Sequence, residues 1–234
     1  MSDIGLVRGT NEDSYICEPP HLFVVADGMG GHAAGEIASR LAASTVSRYI
    51  GENAGANNYE ELLKQAIIQA NTSIYQLSQS KEDFNGMGTT VTAVYVDGDT
   101  IYWGHVGDSR IYLLRNKEFS QLTNDHSLVW ELVQSGNITK EEAQIHPKRN
   151  MLTRAVGTSC LIKIDTGVIV WESGDIILMC TDGLTNMVSE QDIYKFINNH
   201  QGDFESILDQ LVVHAKNAGG FDNITAILLK NGDA

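Results

Sequence analysis

The chain has 234 residues and is 42% hydrophobic, enough to bury a substantial core in one domain of ordinary size. Thirty acidic against sixteen basic residues give a formal net charge of -14, which disfavours nucleic acid and anionic membrane surfaces as partners. The same charge repels a phosphorylated substrate unless bound cations reverse the field locally. Cys17, Cys160 and Cys180 form an odd set without C-x-x-C spacing, predicting reduced packing residues rather than a disulfide framework or zinc ribbon. The N-terminus is polar and no apolar run approaches the ~18 residues of a membrane span, so a cytoplasmic protein without signal peptide or anchor is expected.

In chain order, "LFVVADGMGGHAAGE" runs an apolar strand from Leu22 into Asp27 and a glycine-rich turn. Ala34, Ala38, Leu41, Ala42, Val46 and Tyr49 then share one helical face, and Leu62, Leu63, Ala66, Ala70, Ile74 and Leu77 share another. Asn58 and Glu61 have capping-box spacing before the second of these. "TTVTAVYVDGDTIYWGHVGDSRIYLLRNKEF" and "GVIVWESGDIILMCTDGL" are β-branched and aromatic runs broken by turn residues, predicting antiparallel meanders. Val91 to Val96 and Ile176 to Cys180 show little polar alternation, so sheets covered on both faces are expected, helices outside and another sheet inside.

Between those runs, Ser127 to Leu152 is polar, short-helical and poor in strand signal, an excursion over the surface where functional loops concentrate. Further on, Ser189 and Asp192 repeat the cap spacing before Ile193, Phe196 and Ile197. Ile207, Leu208, Leu211, Val212 and Ala215 mark a last helix, and "GGFDNITAILL" a last strand. No repeat, low-complexity stretch or linker interrupts this order.

Asp27-Gly28 and Asp182-Gly183 both follow apolar strands, Asp222 precedes one, and Asp108 lies in "HVGDSR" at a turn joining two strands. Four carboxylates at strand ends, converging on one rim, would give the all-oxygen environment that Mg²⁺ and Mn²⁺ prefer. The glycines would let the backbone carbonyl approach an ion or a reacting phosphate. A single Asp-Gly is ordinarily a turn, and Asp97-Gly98 is assigned to a hairpin on that ground. Gly28 to Ala33 also fits G-x-G-x-x-A, but a dinucleotide fold needs alternating βα units, which the meanders deny.

"LVRGTNEDS", "VVADGMGGHAAGEIAS", "MGTTVTAVYV", "WGHVGDSRIYLLR", "LTNDHSLV", "LTRAVGT", "IILMCTDGLTNMV" and "GGFDNITAILL" stand in the order seen in the metal-dependent serine/threonine protein phosphatases. The chain therefore resembles this family, type 2C or PPM, and most closely its compact bacterial branch. The resemblance spans essentially all of residues 1–234 and implies a single α+β domain. That domain would be a four-layer α-β-β-α sandwich with two central antiparallel sheets, the stretch at about 127–152 forming a flap.

The resemblance further implies a binuclear Mn²⁺ or Mg²⁺ centre whose bridging hydroxide attacks phosphoserine and phosphothreonine in proteins. Asp27 would bridge both ions, the Gly28 carbonyl, Asp182 and Asp222 would complete the set, and Asp13 would hold metal-bound waters. Asp108 corresponds to the aspartate of a third, weaker ion. Arg8 would grip the phosphoryl oxygens, its planar fork suiting bidentate contacts. His32 would protonate the leaving oxygen, although Met29 occupies the place directly after "DG" where animal members carry their acid. Thr181, Asn186 and Asn223 would brace the ligands, with His105 and His126 either structural or supporting the ligands from behind.

The expected partners are phosphorylated proteins, a cognate serine/threonine kinase and its substrates, with neither nucleic acid nor membrane, and the protein a monomer. Two other readings compete: a pseudophosphatase that binds phosphoproteins without turnover, and a hydrolase of small phosphate esters. The first has no use for Asp13, Asp27, Asp108, Asp182 and Asp222 all intact. Bacterial relatives begin a few residues earlier than Met1-Ser2-Asp3-Ile4, so a short first strand is expected.

Overall fold

The computed structural model describes residues 1–30, 34–53, 55–199 and 203–232. In chain order the elements are β1 (Ser2–Asp3), β2 (Asp13–Glu18), β3 (Leu22–Met29), α1 (Ala34–Glu52), α2 (Tyr59–Ser78), β4 (Gly88–Thr89), β5 (Val91–Asp97) and β6 (Thr100–Val106). There follow β7 (Arg110–Arg115), β8 (Glu118–Gln121), α3 (Leu128–Gln134), α4 (Lys140–Ile145), β9 (Asp165–Val170), β10 (Ile176–Cys180), α5 (Asp182–Thr185), α6 (Glu190–Asn199), α7 (Phe204–Asn217) and β11 (Ile224–Lys230).

Two antiparallel sheets result. One runs β2-β3-β5-β6-β9, with β4 paired to the end of β3; the other runs β1-β11-β10-β7-β8. Strand parity builds the layers, because successive side chains point to opposite faces. On β3, Leu22 and Val24 meet α1 and α2, packing among Ala38, Leu63 and Ile67. Phe23 and Val25 point the other way, into a layer shared with Ile111, Met179 and Ile227 of the second sheet. On β11, Ile224, Ala226 and Leu228 face α6 and α7, among Ile193, Ile207 and Leu211. Both faces of each sheet are thus covered, which is why the strands lack polar alternation, and the four-layer α-β-β-α sandwich follows.

Local chemistry sets the ends of the elements. Asn58 caps α2, accepting from the Glu61 backbone N–H at 3.1 Å, but the Glu61 carboxylate turns to Gln65, so only half of the expected box forms. Ser189 accepts from the Asp192 N–H at 3.2 Å and donates to its carboxylate at 2.7 Å. The complete capping box lies at Thr139 and Glu142, in the excursion, where α3 and α4 are the regular structure and a bridge between Ser127 and Leu152 closes its base. Asp97-Gly98 forms the expected β5–β6 hairpin, with Gly98 at φ +54.

Three expectations change. The run through Asp108 is not one continuous meander, because β6 and β7 belong to different sheets; the turn carrying Asp108 is a crossover between them. β3 does not end at Asp27 but continues to Met29, held by β4. Only Cys180 is a buried packing residue, Cys17 and Cys160 being exposed. The short first strand is seen as β1, paired to β11 through Ser2 and Asp3. No helix among the described residues is long and apolar enough to cross a membrane.

Buried Asn71 of α2 ties the helix to the segment after the excursion, accepting from the Gly157 N–H at 2.7 Å and donating to the Ser159 carbonyl at 2.9 Å. Asn71→Ala strands a buried N–H and is expected to cost about 1–3 kcal/mol, read as a lower denaturation midpoint with unchanged m-value.

Candidate metal centre

The apolar layer between the sheets changes character at one end. Asp27 shares the parity of Phe23 and Val25 on β3, so its carboxylate continues their inward row. Asp13 begins β2 directly opposite, in register with Asp27, and residues so paired present side chains on the same face. From the other sheet, the Thr181 hydroxyl donates to Asp13 at 2.9 Å and accepts from the Thr225 N–H at 3.0 Å. Asp182 opens the single turn α5 directly after Thr181.

Gly183 brings the last segment close, since a Cβ there would lie 1.9 Å from the Asn223 carbonyl and 3.4 Å from the Asp222 Cβ. Gly28 is equally constrained: its Cβ would meet the Gly35 carbonyl at 2.1 Å and that of Glu12 at 2.6 Å. The glycines after Asp27 and Asp182 are therefore required by backbone packing.

The electrostatics are those of crowded carboxylates. Burial pushes the Asp13 carboxyl up to about 7, with the charges of Asp182 and Asp222 adding to the effect. Burial also holds Asp27 well above the ordinary range, aided by Asp13, Asp182, Asp108 and Asp222. Asp108 is raised by burial and then by Asp182, and Asp182 by burial and then by Asp222. The structure thus brings together Asp13, Asp27, Asp108, Asp182 and Asp222 within one field.

Two oxygens in this cluster, Asp13 Oδ1 and Asp182 Oδ1, are buried without a hydrogen-bond partner. Among the described residues no three His, Cys, Asp or Glu side chains close on a single point. Spaced carboxylates with orphaned oxygens fit hard divalent cations, which complete their coordination with water.

A framework of neutral groups fixes these acids. The Asp27 N–H donates to the Thr90 hydroxyl at 2.9 Å, which bonds Ser109 at 2.8 Å, the residue after Asp108. Asn186 donates to Asp182 at 2.9 Å. The Asn223 side chain accepts from the Glu12 N–H and donates to the Ile4 and Thr10 carbonyls. His126 is buried; its Nδ1 accepts from the Gly107 N–H at 3.1 Å and its Nε2 lies 3.1 Å from Asp165. His105 is buried and its pKa falls to about 4, chiefly by burial. Both histidines are buried among groups that hold the crossover turn and Asp165.

Arg8 donates to Asp222 at 2.8 Å and remains half exposed at the rim. His32 lies outside the described residues. Thr90 and Ser109 join the site beyond the residues expected from the sequence, and so does Glu12, whose carboxylate lies against Gly35 in the field of Arg8 and Asp222. For Glu12 the signal was its place directly before Asp13. Thr90 and Ser109 carry none without the tertiary contacts. Beside the acids, a cleft of about 460 Å³ is lined by Asp108 and Asp182 on one side and by Trp130, Lys140 and Arg149 of the excursion on the other.

A carboxylate cluster at the end of an inter-sheet core, opening on a polar cleft, defines the class: an α-β-β-α sandwich with an acidic site that suits divalent cations. Residues 10–228 match the family model for Protein phosphatase 2C. Over 98% of its length the chain is 39% identical to the serine/threonine phosphatase Stp of Listeria monocytogenes, covering 93% of that protein. The Mycobacterium tuberculosis serine/threonine phosphatase PstP superposes with a TM-score of 0.92 at 36% identity, over 100% of this chain and 97% of that one. The PstP catalytic domain in complex with two manganese ions gives 0.91 at 34% identity, over 100% and 96%. The chain belongs to the protein phosphatase 2C family.

The raised acids predict how metal-free stability depends on pH. Asp13 titrates at about 7 in the fold against an ordinary 3.8, so its contribution is full below the lower value and is lost as pH rises through the upper one. In EDTA the melting temperature is expected to fall from about pH 5 to about pH 8, less steeply in Asp27→Asn, and Mn²⁺ should flatten the wild-type curve. A rising curve in EDTA would contradict the repulsive cluster.

Proposed function

We propose that Asp27, the Gly28 carbonyl, Asp182 and Asp222 hold two divalent cations, Mn²⁺ or Mg²⁺. Asp13 acts from beyond them, holding their waters. Asp108, on the crossover turn, serves a third and weaker ion. The observation that carries this reading is the in-register pair Asp13 and Asp27, presented by one sheet to Thr181 and Asp182 of the other. The activity is that of the family, metal-dependent hydrolysis of phosphoserine and phosphothreonine in proteins. When bound, such cations supply hydroxide near neutral pH and neutralise charge on the phosphoryl group.

The chain's own residues do the rest. Arg8 stands at the rim with its guanidinium already directed at Asp222, and a phosphoryl group arriving there meets a rigid, permanently charged fork. Asn186 and Thr181 hold Asp182 and Asp13 in place. Residues 127–152, one wall of the cleft, act as a flap that selects among phosphoproteins. His32 is assigned the leaving-group proton on the strength of the family resemblance. The whole of residues 1–234 acts as one catalytic domain, a cytoplasmic monomer that opposes a serine/threonine kinase.

Phosphate release from a phosphothreonine peptide should require added Mn²⁺ or Mg²⁺ and stop in EDTA, and Asp27→Asn should lower kcat by at least about 100-fold. Full turnover in chelator would sink the metal centre. Arg8→Ala should raise KM for phosphopeptide by about tenfold while calorimetric Mn²⁺ affinity changes little. Unchanged kinetics would return Arg8 to an ordinary surface ion pair.

A further inference from the structure

Three large apolar side chains stand in water directly beside the candidate phosphoryl site: Leu6 and Val7 are each 62% exposed and Phe221 is 60% exposed. They flank the Arg8–Asp222 pair in sequence, Val7 preceding Arg8 and Phe221 preceding Asp222. A solvated Leu or Phe alone needs no explanation, but Leu6 and Phe221 sit on a backbone built to hold them. Leu6 donates its N–H to the Gly220 carbonyl at 2.8 Å. Gly5 takes φ +79 against the Asp222 carbonyl, and its N–H is held by Asp3 at 2.8 Å.

Gly219 and Gly220, at φ +134 and +52, lie beneath the side chains: a Cβ on Gly220 would come within 3.0 Å of Leu6 Cγ, and one on Gly219 within 2.5 Å of the Phe221 ring. Both apolar groups therefore rest against bare backbone, forming a shelf continuous with the site.

We propose that this shelf is a substrate subsite that receives an apolar side chain of the phosphoprotein, one or two positions from the phosphorylated Ser or Thr. The inference rests on the phosphatase reading above. Continuity argues for a segment of the substrate as occupant, because one or two extended residues span about 3.3–7 Å, the reach from a phosphoryl group at Arg8 to side chains anchored on its neighbours. Charge argues for its apolar nature. Of the cations bordering the shelf, Arg8 is given to the phosphoryl group itself and Lys216 is engaged with Asp3 at 3.0 Å, so an acidic flanking residue finds no free partner and meets the carboxylate cluster instead. An apolar side chain loses nothing to that field and covers exposed hydrocarbon.

The test is steady-state kinetics in Mn²⁺ with two phosphothreonine peptides that differ only in carrying Leu or Ser on either side of the phosphothreonine, run beside an aryl phosphate. The wild type should favour the Leu peptide in kcat/KM by about fivefold to tenfold, the scale of one partly buried apolar side chain. The difference should lie in KM. Phe221→Ser with Leu6→Ser should erase the preference by raising KM for the Leu peptide alone, with aryl phosphate turnover reporting that the fold and chemistry survive.

Equal wild-type kcat/KM for the two peptides overturns the subsite without any variant, and so does a preference that survives the double substitution. Sedimentation showing a wild-type dimer that the double variant dissolves would give the shelf to a second copy of the chain and also overturn it. Failure of the wild type on all three phosphate esters would sink the phosphatase reading, and the subsite with it.

Discussion

Everything at the site depends on one electrostatic constraint: five carboxylates are held between two sheets, where burial raises each of those that titrate abnormally and their neighbours raise them further. Carboxylates left to themselves would spread into water or take up protons. Here they are fixed by strands whose positions are set elsewhere, by the apolar layer around Phe23, Val25, Ile111, Met179 and Ile227. The hydrocarbon core therefore stabilises an arrangement that is itself unfavourable, and cations are what relieve it.

The neutral framework explains how such an arrangement is kept specific. Thr181, Thr90, Asn186 and Asn223 each hold a backbone group or a single carboxylate oxygen, and Ser109 holds the Thr90 hydroxyl, so the acids are oriented without being neutralised. An Arg or Lys inside the cluster would pair the charges and compete with any divalent ion. Arg8 is kept at the rim on Asp222, and Arg110, whose charge is felt by Asp108 and Asp182, is committed to Asp125 by a bidentate contact. Orphaned oxygens on Asp13 and Asp182 are the expected residue of this division of roles.

The two sheets also divide the loops that frame the carboxylate cluster. The crossover from β6 to β7 carries Asp108, and His126 grips the residue before it while the Thr153 N–H donates to the His126 carbonyl at 2.8 Å. Both ends of the excursion are thereby tied to the turn that holds an acid. On the opposite side, the segment from Ile4 to Thr10 is stitched to Gly220 and Asn223. The site is framed by two loops of different character, a polar one over the cleft and an apolar one beside Arg8.

Much was legible in the sequence because it follows from periodicity and residue chemistry. The helical faces of α1, α2 and α7, the Asn58 and Ser189 caps, the doubly covered strands and the strand-end aspartates all depend on neighbours three, four or two residues away. Such relations are set by the geometry of a single element. Only the tertiary structure decided the facing register of Asp13 and Asp27, the crossover nature of the Asp108 turn, and the packing reason for Gly28 and Gly183. It alone also showed Thr90 bonded to Ser109 and Arg8 to Asp222, residues separated by 19 and 214 positions. Contacts at that separation are fixed by how the two sheets stack, and no local pattern along the chain encodes which strand end will meet which.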